Sequence, residues 1–325
     1  ILESLGYEII RGDDEKYQPG GPSALRDDYK DVVLVERLRD ALKRINPSIP
    51  EEAREQAVKQ ILRSESQKLL ADNENFHKML VDGIDVPIQT KDGETYKKVW
   101  LYDFEKPDSR NNEFWAVNQF TVIENNIERR PDVILFVNGI PLLVIELKNL
   151  ADENATIWTA FDQFQTYKDQ LKSLFRYNEI LLISDGIEAR VGTITSEKER
   201  FMQWKTIDGE KPRKGLTEIE VLLRGMCDKQ RFLDLMRNFI VFEKDKTTTK
   251  KLAAYHQYWA TNKAVESTVK ARKGNKKAGI VWHTQGSGKS LTMIFYTGKL
   301  VRELDNPTIV VLTDRNDLDD QLFGT

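Results

Sequence analysis

A chain of 325 residues with 40% hydrophobic and 31% charged content is long enough for two buried cores and too apolar to be disordered throughout. No run approaches the ~18 apolar residues of a membrane-spanning helix, and the N-terminus lacks the basic-then-apolar pattern of a signal peptide, so no membrane partner is expected and the cytoplasm is the expected location. The net charge of -3 is unevenly placed: residues 246–325 carry 13 Lys and Arg against 7 Asp and Glu, which leaves the rest acidic and suggests two units with different partners.

In chain order, residues 28–44 place Val32, Val35, Leu38 and Leu42 at helical spacing, and Asn46-Pro47 ends the helix. A second, polar helix is expected over roughly 51–71. From Val86 to Glu124 the pattern turns strand-like, with an Asp92-Gly93 turn followed by KKVWLYDF and FWAVNQFTVIE, which mix aromatic and β-branched residues. Residues 130–149 read as an apolar hairpin, 155–175 as a helix, and 180–184 and 189–194 as two strands around an Asp185-Gly186 turn. Helices over 216–226 and 228–240 close the first unit, and the lone cysteine, Cys227, reads as a buried core residue. The stretch EKDKTTTKK has no apolar residue to bury and is expected to be a linker. The expected divisions are therefore 1–242, 243–251 and 252–325. The last unit reads helix (252–265), basic loop (270–277), strand (279–283), Gly-rich turn, helix (290–303) and strand (308–313), the opening of a parallel α/β sheet. Because the chain begins at Ile and stops at Gly-Thr just after an apolar segment, it is expected to be a piece of a longer protein.

The hairpin carries the first candidate site. Val133–Val137 and Leu142–Ile145 are aliphatic runs of strand length joined by Asn138-Gly139, a strong turn signal, and such runs lie buried in a sheet. Asp132, Glu146 and Lys148 stand at their ends, where a charge must meet an opposite charge, hydrogen bonds or a metal. Glu146 and Lys148 share one face, and Leu147 is expected to point away into the core. A two-residue turn would pair Asp132 with Ile145 and send it to the wrong face. A three-residue loop, Asn138 to Ile140, sets Asp132 opposite Glu146, and that register, or a bend at Asp132 with the same outcome, is the one expected. Asp132, Glu146 and the Leu147 carbonyl then offer hard oxygen ligands to Mg²⁺, with Lys148 positioning a nucleophile or offsetting charge. On spacing alone, a salt bridge at a strand end is the commoner outcome. Gln163 and Tyr167, four apart on the next helix, face one way and could contact a DNA backbone or hold the site, though for a bare pair a solvated helix face is the commoner outcome.

The second candidate site is the run TQGSGKS after an apolar strand and before an amphipathic helix. Gly286 and Gly288 let the backbone amides around Ser287 turn toward phosphate oxygens, Lys289 reaches the outer phosphates, and Ser290 is placed to ligate Mg²⁺. His283 stands where the general motif has Gly and reads as a structural side chain. The basic loop KARKGNKK fits a DNA-backbone contact and a solvated loop equally well.

Taken in order, Pro131-Asp132, Glu146-Leu147-Lys148, Gln163 with Tyr167, WHTQGSGKS and VVLTDRNDLDDQ resemble the motor and nuclease subunit of type I restriction enzymes, over most of the chain from about residue 28. The resemblance implies a restriction-endonuclease-like α/β domain, a mixed sheet flanked by helices, followed by the start of a RecA-like parallel α/β domain of the superfamily 2 helicases. It implies an ATP-dependent translocase joined to a Mg²⁺-dependent endonuclease acting on double-stranded DNA, with modification and specificity subunits as partners. By that similarity Asp132 and Glu146 are metal ligands, Lys148 is the catalytic lysine, Gln163 and Tyr167 assist cleavage, and Gln257 reads adenine ahead of Lys289 and Ser290. Thr313, Asp314 and Arg315 match the next motor motif, near the DNA backbone. Glu36 is a candidate additional acid on an early helix. The Asp-Glu motif that activates water for ATP hydrolysis, the arginine finger and the second motor domain are absent from these residues, so the piece is expected to bind ATP without translocating DNA. Two other readings stay open: a helicase or translocase whose nuclease-like domain is inactive, and a nucleotide-regulated DNA-binding scaffold in which the hairpin is only core.

Overall fold

In a computed structural model of the chain, which describes residues 1–91, 93–107, 110–149, 156–304 and 307–312, the apolar hairpin forms the middle of a six-stranded sheet. The strands of the chain are β1 (Glu8–Arg11), β2 (Ile84–Thr90), β3 (Gly93–Val99), β4 (Phe114–Asn118), β5 (Val122–Glu124), β6 (Ile127–Arg129), β7 (Val133–Val137), β8 (Ile140–Leu147), β9 (Ile180–Ser184), β10 (Ala189–Gly192), β11 (Ile240–Lys244) and β12 (Thr248–Leu252). The helices are α1 (Val35–Ile45), α2 (Glu51–Leu62), α3 (Leu69–Asp82), α4 (Ile157–Gln170), α5 (Lys172–Phe175), α6 (Glu218–Met226), α7 (Lys229–Asn238), α8 (Tyr255–Arg272) and α9 (Lys289–Glu303). The large sheet has the order β1-β4-β7-β8-β9-β10. Its β1/β4 and β8/β9 pairs are parallel and the others antiparallel, so the fold is a mixed α/β sheet with flanking helices.

Central position explains the composition of β7 and β8. From Ile134 through Ile145 the hairpin is buried, as strands covered on both faces must be. Helix α4 lies against β8 and β9. Its N-terminus is fixed by a capping box in which the Thr156 side chain and Thr159 exchange hydrogen bonds with the backbone.

Several local expectations are corrected by tertiary contacts. The first helix begins only at Val35, because the Leu34 N–H donates to the Gly139 carbonyl at 2.8 Å and holds the preceding chain against the hairpin turn. The helix expected over 51–71 splits into α2 and α3: the Asp72 carboxylate takes the Ser64 hydroxyl at 2.8 Å and the Glu65 N–H at 3.0 Å, which stabilises a break between them. The expected turn residue Asp92 lies outside the described residues.

The stretch at 243–251 is not a linker. It forms most of the β11–β12 hairpin, in which Ile240 pairs with Leu252 and Lys244 with Thr248. Lys250 is only 1% exposed, and its ammonium donates to Glu179 at 2.7 Å and to Asn73 Oδ1 and the Asn178 carbonyl, both at 2.9 Å. A lysine can be buried this deeply when each donor meets an acceptor and the charge meets a carboxylate. Glu179 also binds His77 Nδ1 at 2.9 Å, so one cluster joins α3, the start of β9 and β12. Cys227 is buried, and burial pushes its thiol up to about 12.

The strands expected at 279–283 and 308–313 are also corrected. The described part of both has no regular secondary structure and pairs with no strand among the described residues, and Ile280, Trp282, Val310 and Leu312 stand open to solvent. An apolar run becomes a strand only when neighbours take up its N–H and C=O groups. Helices α8 and α9 pack on one another and α9 also meets α7, so the intervening Gly-rich turn is held against the first unit. Among the described residues no helix is long and apolar enough to cross a membrane.

Candidate active site

The turn of the central hairpin has two residues, Asn138 and Gly139, both left-handed, with Val137 paired to Ile140. The three-residue loop is therefore incorrect. The outcome it was meant to explain is nevertheless present, because β8 contains an extra residue: Phe136 pairs with Pro141 but Leu135 pairs with Leu143. Leu142 is the bulged residue, and its carbonyl turns to β9, where it accepts the Glu179 N–H at 2.8 Å. Beyond the bulge Val133 pairs with Ile145, so the next residue back, Asp132, comes opposite Glu146.

Asp132 is fixed from three sides. Its Oδ2 accepts the Leu147 N–H at 2.7 Å, its Oδ1 accepts the Gln119 side-chain amide at 3.1 Å, and its carbonyl accepts the Gln119 N–H at 2.9 Å. Glu146 is 2% exposed, and its Oε1 receives the Lys148 ammonium at 3.0 Å. Lys148 also donates to Gln163 Oε1, and the Gln163 amide donates to the Tyr167 hydroxyl. The structure thus brings Asp132, Glu146, Lys148, Gln163 and Tyr167 into one contiguous group at one end of the sheet. Leu147 points away from it, but at 38% exposure it faces solvent rather than the core, because β8 ends there.

Burial pushes the Glu146 carboxyl up to about 7, the facing charge of Asp132 adds to the rise, and Lys148 offsets only part of it. Burial likewise pushes the Tyr167 hydroxyl up to about 12, with Glu146 contributing. Glu146 Oε2 is buried and has no hydrogen-bond partner. A buried oxygen without a donor, beside a second carboxylate, fits a hard divalent cation. Among the described residues no group of three or more His, Cys, Asp and Glu side chains is arranged around a metal position, so a cation here would take two carboxylates and draw its other ligands from backbone or water oxygens.

Glu36 does not belong to this group. It is exposed on the first turn of α1, paired with Arg39, beside the hairpin turn that Leu34 binds. The turn and Asp132 are separated by the length of β7, roughly 17 Å for five residues. Gln119, in contrast, touches the site without having been anticipated. It continues the strand-like run FWAVNQF, and nothing in that pattern signals that it leaves the strand at φ 53.

The Gly-rich turn lies where α8 and α9 converge. Gly286 and Gly288 both have φ 76, and a Cβ on Gly288 would fall 2.6 Å from Gln257 Nε2. Lys289 folds back on its own loop and donates to the His283 and Thr284 carbonyls at 3.1 and 3.0 Å. Ser290 follows in the first turn of α9, and Ser287 lies between the two glycines. Gln257 is buried, and its amide is spent on backbone: Oε1 accepts the Ala254 N–H at 2.9 Å and Nε2 donates to the Gly288 carbonyl at 3.0 Å. It ties the start of α8 to the loop. His256 lies on the loop through a 3.1 Å contact between Nε2 and the Ser287 carbonyl, and its ring meets that of His283 edge-on at 5.5 Å. Burial, with His256 and Lys289 nearby, holds the His283 imidazole below its usual range. Gly286, Ser287, Gly288, Ser290, His256 and Gln257 border a cleft of about 630 Å³. The basic loop is exposed, and Thr313, Asp314 and Arg315 lie outside the described residues.

Comparison with known proteins supplies an independent line. Residues 1–200 match the family described as type I restriction enzyme R protein N terminus, and residues 256–325 match the SWI2/SNF2 ATPase family. The chain is 46% identical, over its whole length and 31% of the relative's, to the type I restriction enzyme HindI endonuclease subunit of Haemophilus influenzae. It is 32% identical, over 99% of its length and 32% of the relative's, to a protein of Methanocaldococcus jannaschii named as the MjaIXP endonuclease subunit of a type I restriction enzyme. A Staphylococcus aureus endonuclease subunit, SauMSSORF170P, is 27% identical over 98% of the chain and 31% of its own length. The chain spans about a third of the length of these relatives.

Proposed function

Because the chain belongs to the type I restriction enzyme R protein N-terminal family, we propose that it is the nuclease part, with the start of the motor, of a restriction subunit that couples ATP-driven DNA translocation to Mg²⁺-dependent cleavage of double-stranded DNA. In this reading the chain through the β11–β12 hairpin forms the endonuclease unit on a restriction-endonuclease-like sheet, and the chain from α8 onward opens the first RecA-like domain. Modification and specificity subunits are the partners. The observation that carries it is the meeting of Asp132, Glu146 and Lys148, with Gln163 and Tyr167 behind them, at one sheet end.

Asp132 and Glu146 hold the divalent cation, which when bound acidifies a water and neutralises charge on the scissile phosphate. Lys148 steadies Glu146 Oε1 and presents an ammonium to the same face, where it orients the attacking water or offsets phosphate charge. Gln163 holds that ammonium, and Tyr167 holds Gln163, so the helix α4 sets the height of the lysine above the sheet. At the second site the amides of Gly286, Ser287 and Gly288 bind phosphates, Lys289 exchanges its two carbonyl partners for the outer phosphates of ATP, and Ser290 meets the Mg²⁺ that accompanies them. Gln257, by the same resemblance the residue that reads adenine, would have to release the Ala254 N–H and the Gly288 carbonyl to do so.

Glu146→Ala in the full-length subunit, assembled with its partners, tests the reading. Cleavage of DNA in Mg²⁺ should disappear while DNA-stimulated ATP hydrolysis persists. Retained cleavage would move the nuclease centre elsewhere and leave the hairpin as core.

A further inference from the structure

Gln119 occupies a backbone conformation that few side chains other than Asn and Gly adopt, φ 53, at the point where β4 ends. From there the chain leaves the sheet, runs through the β5–β6 hairpin and returns at Asp132. The excursion is closed at its base by two hydrogen bonds between the same two residues: Gln119 N–H to the Asp132 carbonyl at 2.9 Å, and Gln119 Nε2 to Asp132 Oδ1 at 3.1 Å. The left-handed turn is what lets one residue make both. Asp132 Oδ2 is meanwhile held by the Leu147 N–H at 2.7 Å, a donor on the strand that carries Glu146. The carboxylate plane is therefore set by one donor on each side, and each oxygen keeps a lone pair for a further partner.

We propose that Gln119 is a positioning residue of the cleavage centre, which orients the Asp132 carboxylate toward Glu146 so that the two together present a preformed site for a divalent cation. The proposal rests on the reading of Asp132 and Glu146 as cation ligands. Glu146 stays buried with one oxygen lacking a donor, a cost that a cation between the carboxylates relieves, so the direction in which Asp132 points decides whether that cation can bind.

Direct Mn²⁺ binding to the full-length subunit, without nucleotide or DNA, by calorimetry or by the electron spin resonance of free Mn²⁺, reads this independently of cleavage. Gln119→Gly removes the amide and at the same time relaxes the left-handed backbone, so the variant keeps the fold. It should bind Mn²⁺ about 10- to 100-fold more weakly, the usual effect of removing a group that orients a metal ligand. Gln119→Glu, which replaces the amide donor by an acceptor, should not restore the wild-type orientation and should respond to pH differently from wild type. Asp132→Ala serves as the reference. If Asp132→Ala abolishes binding while Gln119→Gly binds within about twofold of wild type, Gln119 has no positioning role. If wild type binds no Mn²⁺, or Asp132→Ala binds as wild type does, the cation reading of the hairpin falls and this proposal falls with it.

Discussion

Replacing Glu146 by Gln isolates the electrostatic cost stored at the end of β8. The wild-type carboxyl is buried, faces Asp132, and keeps its proton up to about pH 7 in place of the usual 4.5. Each pH unit of such displacement is worth about 1.4 kcal/mol, so ionised Glu146 destabilises the folded chain by roughly 3 kcal/mol. The sign comes from counting protons. Between about 4.5 and 7 the folded chain holds a proton that the unfolded chain has released, so this group makes stability fall as pH rises, and its effect is constant above 7. Gln cannot ionise. Glu146→Gln should match wild type near pH 4.5 and exceed it by roughly 3 kcal/mol at pH 8 in the absence of divalent ions. Denaturant unfolding of both proteins across that range measures the difference. Parallel stability curves would refute the reasoning, and so would a gap that closes as pH rises.

Two further substitutions probe the frame around the site. Lys250→Met leaves Glu179 buried with only His77 beside it and should cost roughly 3–5 kcal/mol in denaturant unfolding, part of which Glu179→Gln should recover in the double variant. Burial alone would raise the Glu179 carboxyl, but Lys250 and His77 outweigh it and hold the group below its usual range, so its stabilisation is present above the unfolded value and lost in acid; Lys250→Met should shift acid unfolding to higher pH. Gly139→Ala places a Cβ 2.4 Å from the Leu34 carbonyl at φ 79, and strain plus overpacking should lower stability by roughly 2–4 kcal/mol, read as a loss in thermal midpoint.

The proximity of the candidate residues was legible in the sequence, while their reading as a site came from the resemblance and not from their spacing, which alone favoured a salt bridge. Asp132, Glu146 and Lys148 draw attention because charges at the ends of aliphatic runs require partners, and the i,i+4 spacing of Gln163 and Tyr167 carries through to their hydrogen bond. The bulge at Leu142 could not be read there, since a run of buried Leu and Val looks the same with or without an extra residue. Lys250 misled for a related reason: a lysine is ordinarily a mark of solvent, and only the distant Glu179, Asn73 and Asn178 make its burial possible. Ile280 and Val310 erred the other way, with strand character in the side chains and no ladder among the described residues to realise it.

The extra residue in β8 separates two demands that a regular strand would bind together. The turn at Asn138-Gly139 has a fixed geometry, and the side-chain alternation of an unbroken ladder would carry that geometry, residue by residue, all the way to Asp132. With Leu142 inserted, the two ends of the hairpin are out of phase, and each obeys its own neighbours. Loss of one residue between Ile140 and Ile145 would leave the turn intact and remove the bulge, and the regular ladder that results would still set Glu146 opposite Asp132.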